Sequence, residues 1–303
     1  MNQLITVAIP VTRVLEIAEQ AINSIVQQSY RNISIILQVE KGYADLDLVS
    51  KYLNDNRVTI VQFPENTNLA TKCNEAIKHC NTKYFARMDD DDISLPYRLQ
   101  KQLSLMERNP DVDICGCSVC FFGEDSKIYV PAVFHQDIVI RLLNGSSIPH
   151  SSWLMRTGKI QELELVYNQE LEFAQDYDFL VRCKNILKYQ NISEILVKLR
   201  THINQSSKNI KQSEISDIVR TNLLKELRIP ESEIIVWNSF INSKELDQES
   251  ITIANNIITS NKTYKTFNQS KLKLYISYLL GTKISTYFQF KLLIDSKIDN
   301  FLN

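Results

Sequence analysis

Glycine is scarce in this sequence, with six residues among 303. Neither G-x-G-x-x-G nor G-x-x-x-x-G-K-S/T occurs, which excludes the usual dinucleotide and P-loop phosphate sites. No uninterrupted apolar run reaches the roughly 18 residues expected of a membrane-spanning helix, and the N-terminus lacks the basic start and apolar core of a signal peptide. The formal net charge of −1 gives no whole-protein attraction to nucleic acid. These absences predict a cytoplasmic protein without a nucleic-acid partner.

Three of the six cysteines, Cys115, Cys117 and Cys120, lie close together in the sequence. On a strand, Cys115 and Cys117 share one face while Cys120 points to the other. This is poor geometry for tetrahedral zinc, and no second cysteine pair follows at zinc-site spacing. We therefore expect buried, unpaired cysteines in a reducing compartment.

The first half of the chain alternates predicted strands and helices with short connections. Strands are predicted at 4–9, 33–39, 58–63 and 84–88, and helices at 15–25, 46–53 and 69–80. Such alternation is typical of an α/β fold with a mostly parallel central sheet and helices on both faces. Further helices are predicted at 96–108 and from 175 to about 188, and further strands at 111–122, 151–155 and 192–199.

From about residue 211 the chain becomes rich in Ile, Asn, Lys and Ser, and its apolar residues recur at helical spacing. The sequence therefore predicts two parts. An α/β domain covers 1–210, and a helical C-terminal region covers 211–303.

Four consecutive carboxylates, Asp89 to Asp92, directly follow the fourth predicted strand. Like charges this close repel and raise one another's pKa values. A hard divalent cation with oxygen ligands relieves that repulsion, and ligands of α/β proteins usually bind at the C-terminal ends of strands. The alternative is a solvated turn that caps the next helix, since Asp and Ser are good N-cap residues.

Several segments together resemble the inverting glycosyltransferases of family 2, which have the GT-A nucleotide-sugar-binding fold. They are VAIPV at 7–11, SIVQQSY at 24–30, PENTNL at 64–69, NEAI at 74–77, ARMDDDDISLP at 86–96, HSSWLMR at 150–156, AQDYD at 174–178 and RTH at 200–202. They occur in the family's order and spacing. The resemblance implies transfer of a sugar from a nucleotide diphosphate sugar, a UDP-sugar by analogy. The implied acceptor is a hydroxyl of a saccharide or lipid-linked saccharide in capsule or other surface polysaccharide synthesis.

The resemblance also implies a divalent metal, Mn²⁺ or Mg²⁺, that neutralises the departing diphosphate. Asp91 is an expected ligand because it matches the family's final D-x-D carboxylate. His202, in the segment that matches the family's R-x-H, is expected to bind the metal or the phosphate, since neutral imidazole is a good third ligand. Asp89 is expected at the ribose, or at the metal through water, and Asp92 is expected to cap the next helix. The expected donor-binding residues are Pro10, Val11, Thr12, Glu40, Asn66, Asn74, Asp89, Asp90 and Arg200.

Glu40 stands where the family usually carries an Asp that contacts uracil. Either carboxylate can accept a base N–H, so Glu40 is expected to replace it. The turn after the first strand also departs from the family, reading Pro-Val-Thr-Arg instead of Pro-x-Tyr-Asn. Both departures concern the identity of the nucleotide and leave the metal and base positions intact.

Asp176 matches the catalytic base of the family and lies at a predicted helix start. The helix macrodipole favours its ionised form, and partial burial is expected to offset that effect. An N-cap role is the alternative for this residue. His150 is expected to pack under the acceptor site.

The tail between Lys262 and Lys297 carries seven lysines and one acidic residue, Asp295, with aromatic residues interleaved. One interpretation is a pair of helices packed on the main domain, with lysines in solvent. The other is a surface that rests on anionic lipid, with peripheral contact at the inner face of the plasma membrane.

Two other functions compete with glycosyl transfer. A nucleotidyltransferase-like enzyme would have a similar sheet, but such enzymes usually show a glycine-rich N-terminal loop with a basic residue, which is missing here. A non-catalytic nucleotide-sugar-binding subunit is the second alternative. The joint presence of Asp91, Asp176 and His202 argues against it, because a subunit that only binds has no need of a base.

Overall fold

The computed structural model describes residues 4–12, 15–42, 49–201, 210–243 and 245–281. Strands in these ranges are β1 Ile5–Val11, β2 Ile33–Glu40, β3 Val58–Phe63, β4 Tyr84–Arg87, β5 Ile93–Ser94, β6 Ile114–Gly123, β7 Ile128–Tyr129, β8 Leu154–Arg156 and β9 Tyr189–Thr201. Helices are α1 Leu15–Val26, α2 Leu69–Lys78, α3 Arg98–Arg108, α4 His135–Arg141, α5 Thr157–Glu162, α6 Gln175–Cys183, α7 Ile210–Lys225, α8 Glu231–Ser243, α9 Gln248–Tyr264 and α10 Gln269–Leu279. Short 3₁₀ turns cover Lys51–Asn54 and His150–Ser152.

The strands form one sheet in the order β3-β2-β1-β4-β8-β6-β9-β5, with β7 paired to β6. β1 to β4 are parallel, as the alternating pattern predicts. The other half is mixed, because β8 runs antiparallel to both β4 and β6 while β6 and β9 are parallel. Parallel pairing is therefore confirmed among the first four strands and recurs between β6 and β9.

β1 is central because its sequence, ITVAIPV, is apolar on both faces. All seven of its residues are buried, which is typical of a parallel strand covered on both sides. Its Ile5, Val7 and Ile9 pack in one core with Ile22 and Ile25 of α1. This core fixes the carboxyl ends of β1 and β4 next to each other, where the aspartate run begins.

Several predicted helices differ in extent from those observed. The helix predicted at 46–53 falls partly on 43–48, outside the described residues, and a 3₁₀ turn occupies Lys51–Asn54. The helix predicted at 96–108 begins at Arg98. The helix predicted to end near residue 188 ends at Cys183, because the chain turns there into β9.

All six cysteines are unpaired, and five of them are buried, while Cys120 is partly exposed. Burial raises the pKa of the Cys117 thiol to about 11, so this thiol stays protonated. The expectation of buried, unpaired cysteines is thus met. Among the helices that the structure describes, none combines the length and the apolarity needed to cross a bilayer.

The chain divides into two compact units, Met1–Arg220 and Thr221–Asn303. The first contains the sheet, and the division falls within α7. The regular structure described in the second unit is helical, in keeping with the composition there. Its Asn268 caps α10 by accepting a hydrogen bond from the Lys271 N–H over 3.1 Å.

Candidate active site

Three carboxylates converge directly after β4. One oxygen each of Asp89, Asp91 and Asp92 lies within 4.8 Å of the others. Asp91 and Asp92 are buried, whereas 35% of the Asp89 side chain is exposed. Within the described part of the chain, this is the one group of His, Cys, Asp or Glu side chains with the spacing of a metal site.

Asp89 is oriented by Arg87, which precedes it by two residues. The Arg87 Nη1 donates to Asp89 Oδ2 over 2.6 Å, and Nη2 donates to Oδ1. The Ser151 hydroxyl also lies 2.6 Å from Asp89 Oδ2. Sequence reasoning missed both residues, although Arg87 stands in the segment that matches the family.

Asp92 does not cap the helix that follows it. The N-cap of α3 is Tyr97, which makes no side-chain capping bond. Asp92 instead lies 2.6 Å from the Ser151 hydroxyl and accepts a hydrogen bond from the Arg200 N–H over 2.9 Å. The expectation of a capping role was wrong, because contacts with distant segments take up both carboxylate oxygens.

Burial raises the pKa of Asp92 well above the usual carboxyl range, and the neighbouring charges of Asp89 and Asp91 raise it further. The hydrogen bonds from Ser151 and Arg200 act in the opposite direction but do not outweigh burial. Three close carboxylates, two of them buried, are the hard-oxygen set that Mg²⁺ and Mn²⁺ prefer. A divalent cation would remove their mutual repulsion, so these residues fit the implied metal.

Asp90 points to the end of β1. Its Oδ2 accepts hydrogen bonds from the Thr12 N–H over 2.5 Å and from the Thr12 hydroxyl over 3.2 Å. Pro10 and Val11 are buried within β1 beside this contact. Asp90 thereby fixes Thr12, in the segment where the family resemblance places the donor.

Arg200 closes the other side of the carboxylates. Its Nε donates to the Asp91 carbonyl over 3.0 Å, its Nη2 donates to Gln20 over 3.0 Å, and its guanidinium stacks 4.5 Å from the Phe122 ring centre. The structure thus places Arg200 beside the carboxylates, and its role in donor binding stays a prediction. His202, the second expected metal ligand, lies outside the described residues.

Asp176 lies in the first turn of α6, but it is not the N-cap. That position belongs to Ala174, whose φ of 55° is in the left-handed region. The Asp176 carboxylate is partly exposed and accepts a hydrogen bond from the Ser146 hydroxyl over 2.8 Å. Its environment therefore differs from that of a simple helix cap.

Burial is the largest influence on the pKa of Asp176 and raises it above the usual value. Ser146, the Tyr177 N–H and the positive charge of Arg87 act in the opposite direction without cancelling it. A carboxylate with a raised pKa is a stronger base, which suits proton abstraction from a hydroxyl.

Glu40, at the end of β2, is held by a buried lysine. Lys72 Nζ donates to Glu40 Oε1 over 2.8 Å, and the Asn66 N–H donates to Oε2 over 3.0 Å. Burial tends to raise the pKa of Glu40, but these two contacts outweigh it and hold the pKa below the usual value. Glu40 is therefore a fixed, ionised hydrogen-bond acceptor at the end of β2, the strand beside β1, which Thr12 follows.

Asn74 and His150 have structural partners. The Asn74 amide exchanges two hydrogen bonds with the Tyr167 backbone, of 2.9 and 2.8 Å. The His150 Nε2 lies 2.9 Å from the Tyr167 hydroxyl, and its ring meets Trp153 edge-on. Burial, and then the Arg87 charge, lower the pKa of His150 well below its usual value, so its imidazole is neutral.

Comparison with known proteins finds relatives among the glycosyltransferases. The family model described as glycosyl transferase family 2 matches residues 6–163. An uncharacterized glycosyltransferase of Haemophilus influenzae is 30% identical over 242 residues, which are 73% of this chain and 73% of that protein. The O-antigen biosynthesis glycosyltransferase WbnJ of Escherichia coli is 29% identical over 220 residues, which are 68% of this chain and 83% of that protein.

Solved structures show the same fold at low sequence identity. S. aureus TarS, crystallised with UDP-GlcNAc, has a TM-score of 0.60 at 14% identity, over 91% of this chain and 87% of that one. The mannosyltransferase PcManGT from Pyrobaculum calidifontis, in complex with GDP-Man and Mn²⁺, has a TM-score of 0.53 at 12% identity, over 100% and 88%. The matched family model covers more than half of the sequence, and the chain therefore belongs to glycosyl transferase family 2.

Proposed function

We propose that this enzyme is a metal-dependent, inverting glycosyltransferase that uses a UDP-sugar. The observation that carries the proposal is the convergence of Asp89, Asp91 and Asp92 directly after β4, where one oxygen of each lies within 4.8 Å of the others. Carboxylate oxygens grouped in this way fit a divalent cation that would hold the diphosphate. Asp176, whose pKa is raised by burial, is the candidate base.

The proposed donor site is built around the carboxylates. Asp91 and Asp92 offer oxygens to the metal, with His202 as a further expected ligand, and Asp89 contacts the ribose or the metal through water. A bound Mn²⁺ or Mg²⁺ would neutralise the diphosphate as it leaves. Arg200 contributes a positive charge on the same side.

Asp176 is the proposed base. It takes the proton of the acceptor hydroxyl as that oxygen attacks the anomeric carbon. The bond between this carbon and the diphosphate oxygen breaks on the opposite side, and the diphosphate leaves with the bonding electrons. One displacement without a covalent sugar–enzyme intermediate inverts the anomeric configuration.

Support for uridine comes from Glu40 and from a structural neighbour. Glu40 is fixed and ionised, so it can accept the N–H of a base at a free lone pair. TarS was crystallised with UDP-GlcNAc, whereas PcManGT was in complex with GDP-Man. The fold therefore accommodates either nucleotide, and the choice of uridine depends on the family resemblance.

The proposed acceptor is a hydroxyl of a saccharide or a lipid-linked saccharide in surface polysaccharide synthesis, because the name of one relative refers to O-antigen biosynthesis. We further propose a cytoplasmic enzyme that contacts the inner face of the plasma membrane peripherally. Two lysines of the C-terminal region, Lys262 and Lys265, are exposed, and so are two of its aromatic residues, Tyr264 and Tyr278. Residues 282–303, which complete the basic and aromatic tail, lie outside the described residues.

The test is calorimetric titration of the enzyme with nucleoside diphosphates, with and without Mn²⁺, followed by NMR of the product formed from the best donor. We expect UDP to bind more tightly than GDP or dTDP, only with the metal present, and the product to have the opposite anomeric configuration to the donor. Metal-independent binding, preference for a guanine or thymine nucleotide, or a retained configuration would each contradict the corresponding part of the proposal.

A further inference from the structure

The 3₁₀ turn His150–Ser152 is fixed beside the carboxylate cluster by the sheet. It leads into β8, which pairs with β4 in the register Ala86 to Leu154. The Trp153 carbonyl continues this ladder, because it accepts the Arg87 N–H over 3.3 Å. The position of the turn relative to the end of β4 is therefore set by backbone hydrogen bonds.

Ser151 is the residue of this turn that reaches the carboxylates. Its hydroxyl oxygen lies 2.6 Å from Asp89 Oδ2, 2.6 Å from Asp92 Oδ2 and 3.4 Å from Arg87 Nη1. Only 2% of the residue is exposed. One hydroxyl group is thus the common neighbour of two acidic side chains that would otherwise repel each other.

We infer that Ser151 is a positioning residue for the metal cluster: its hydroxyl holds Asp89 and Asp92 at the separation that a divalent cation requires. This inference rests on the metal dependence proposed above. It concerns affinity for the metal, since Ser151 is not itself assigned as a metal ligand or as a base.

A hydroxyl suits this position for a physical reason. It is neutral, so it adds no charge to the cluster, and its single proton can be donated to either of the two facing oxygens. A hydrogen bond to a carboxylate is stronger than one between neutral groups. Without it, repulsion would push Asp89 and Asp92 apart, and a cation would first have to draw them together.

The test uses Ser151→Ala, Ser151→Thr and a matched control, Ser147→Ala. Ser147 is similarly buried, but its hydroxyl donates to the backbone carbonyl of Ile138, over 3.0 Å, and not to a carboxylate. Binding of Mn²⁺ alone is measured by calorimetry and by electron paramagnetic resonance of the bound ion, without any nucleotide. Thermal unfolding without metal shows whether each variant is folded.

We expect Ser151→Ala to weaken Mn²⁺ binding about tenfold, the effect of losing one hydrogen bond to a charged group. Its resonance spectrum should differ from that of the wild-type protein. Ser151→Thr, which keeps the hydroxyl, should restore most of the affinity, and Ser147→Ala should bind as the wild type does. If Ser151→Ala does not fold, Ser151→Cys is used instead. It keeps the size of the side chain but is a weaker hydrogen-bond donor, so it should weaken Mn²⁺ binding by less than tenfold.

Two failures can be told apart. If the wild-type protein binds Mn²⁺ and Ser151→Ala binds it equally well or more tightly, this inference is overturned while the proposed function stands. Equal weakening by Ser147→Ala would also overturn it, because the effect would then be general. If the wild-type protein binds neither Mn²⁺ nor Mg²⁺, the proposed metal dependence fails and this inference falls with it.

Discussion

Arg87 and Asp89 form a bidentate ion pair at the end of β4. Both terminal nitrogens of the guanidinium donate to the carboxylate, and the arginine is buried while the aspartate is partly exposed. A planar guanidinium can satisfy both oxygens at once, whereas the ammonium of a lysine is a single point charge. The orientation of Asp89 therefore depends on arginine specifically and not on positive charge alone.

Arg87→Lys should weaken Mn²⁺-dependent binding of UDP and lower the free energy of unfolding by about 1.5–3 kcal/mol, the range for a hydrogen bond to a charged group. Calorimetry and denaturant unfolding measure the two effects. Arg57→Lys is the matched control, because Arg57 binds Asp55 through Nε and Nη2, also two residues apart. The control should lose stability but keep nucleotide affinity. Equal loss of affinity in both variants would refute a specific role for Arg87.

Asp91→Ala should abolish Mn²⁺-dependent nucleotide binding and transfer, because the diphosphate loses the anchor of its counter-ion. The control is Asp111→Ala, which removes a carboxylate paired with Lys188 at the surface. Titration with UDP and Mn²⁺ compares the two variants. Wild-type affinity in Asp91→Ala would mean that the aspartate run is not a metal site.

Asp176→Asn should reduce turnover on the order of 10²–10⁴-fold, the usual contribution of a general base. Donor and metal affinity should stay close to the wild-type values, since the amide keeps the shape of the side chain. Steady-state kinetics and UDP titration separate these effects. Ser146→Ala should reduce turnover less than Asp176→Asn does, because it removes only the hydrogen bond to this carboxylate. Normal turnover in Asp176→Asn would exclude this residue as the base.

The raised pKa of Asp176 also predicts how stability depends on pH. The folded protein holds this proton more tightly than the unfolded chain, so ionisation of Asp176 opposes folding. This free-energy cost to folding grows as the pH rises from about 4, the ordinary pKa of a carboxyl group, through the raised pKa of Asp176. Asp176→Asn should therefore be more stable than the wild type at neutral pH, and the difference should shrink toward pH about 4. Denaturant unfolding across this range tests the sign, and a difference that grows toward acid pH would be evidence against it.

Glu40→Gln should reduce the preference for UDP over other nucleoside diphosphates, because the fixed negative acceptor is lost. It should also reduce stability, since it leaves the buried Lys72 without its counter-charge. Competition binding with UDP and GDP measures the preference. The control is Glu65→Gln, a nearby exposed residue that the donor site does not include. If Glu40→Gln keeps the preference for UDP over GDP, the uracil must bind away from Glu40.

The sequence was sufficient for features with a strong local pattern. Continuous apolar runs and short connections predicted β1 to β4, and the position of Asp176 at a helix start followed from the segment around it. The two-residue strands β5 and β7 could not be predicted, because so short a strand exists only through its partner. The contacts of Asp92 were missed for a related reason. They come from Ser151, 59 positions away, and from Arg200, 108 positions away. Patterns among neighbouring residues cannot predict contacts between residues so far apart in the sequence.

The carboxylate cluster is enclosed by the ends of β4 and β9 and by the turn before β8. β4 and β9 belong to one hydrogen-bonded sheet, and the turn leads into β8 of the same sheet. The proposed ligand side chains are therefore held in place by the folded sheet before any cation binds. Binding to such a pre-organised site avoids most of the entropy loss that ordering loose side chains would cause. Affinity for the metal should accordingly respond to changes that loosen the β4–β8 edge, even where they touch none of the aspartates.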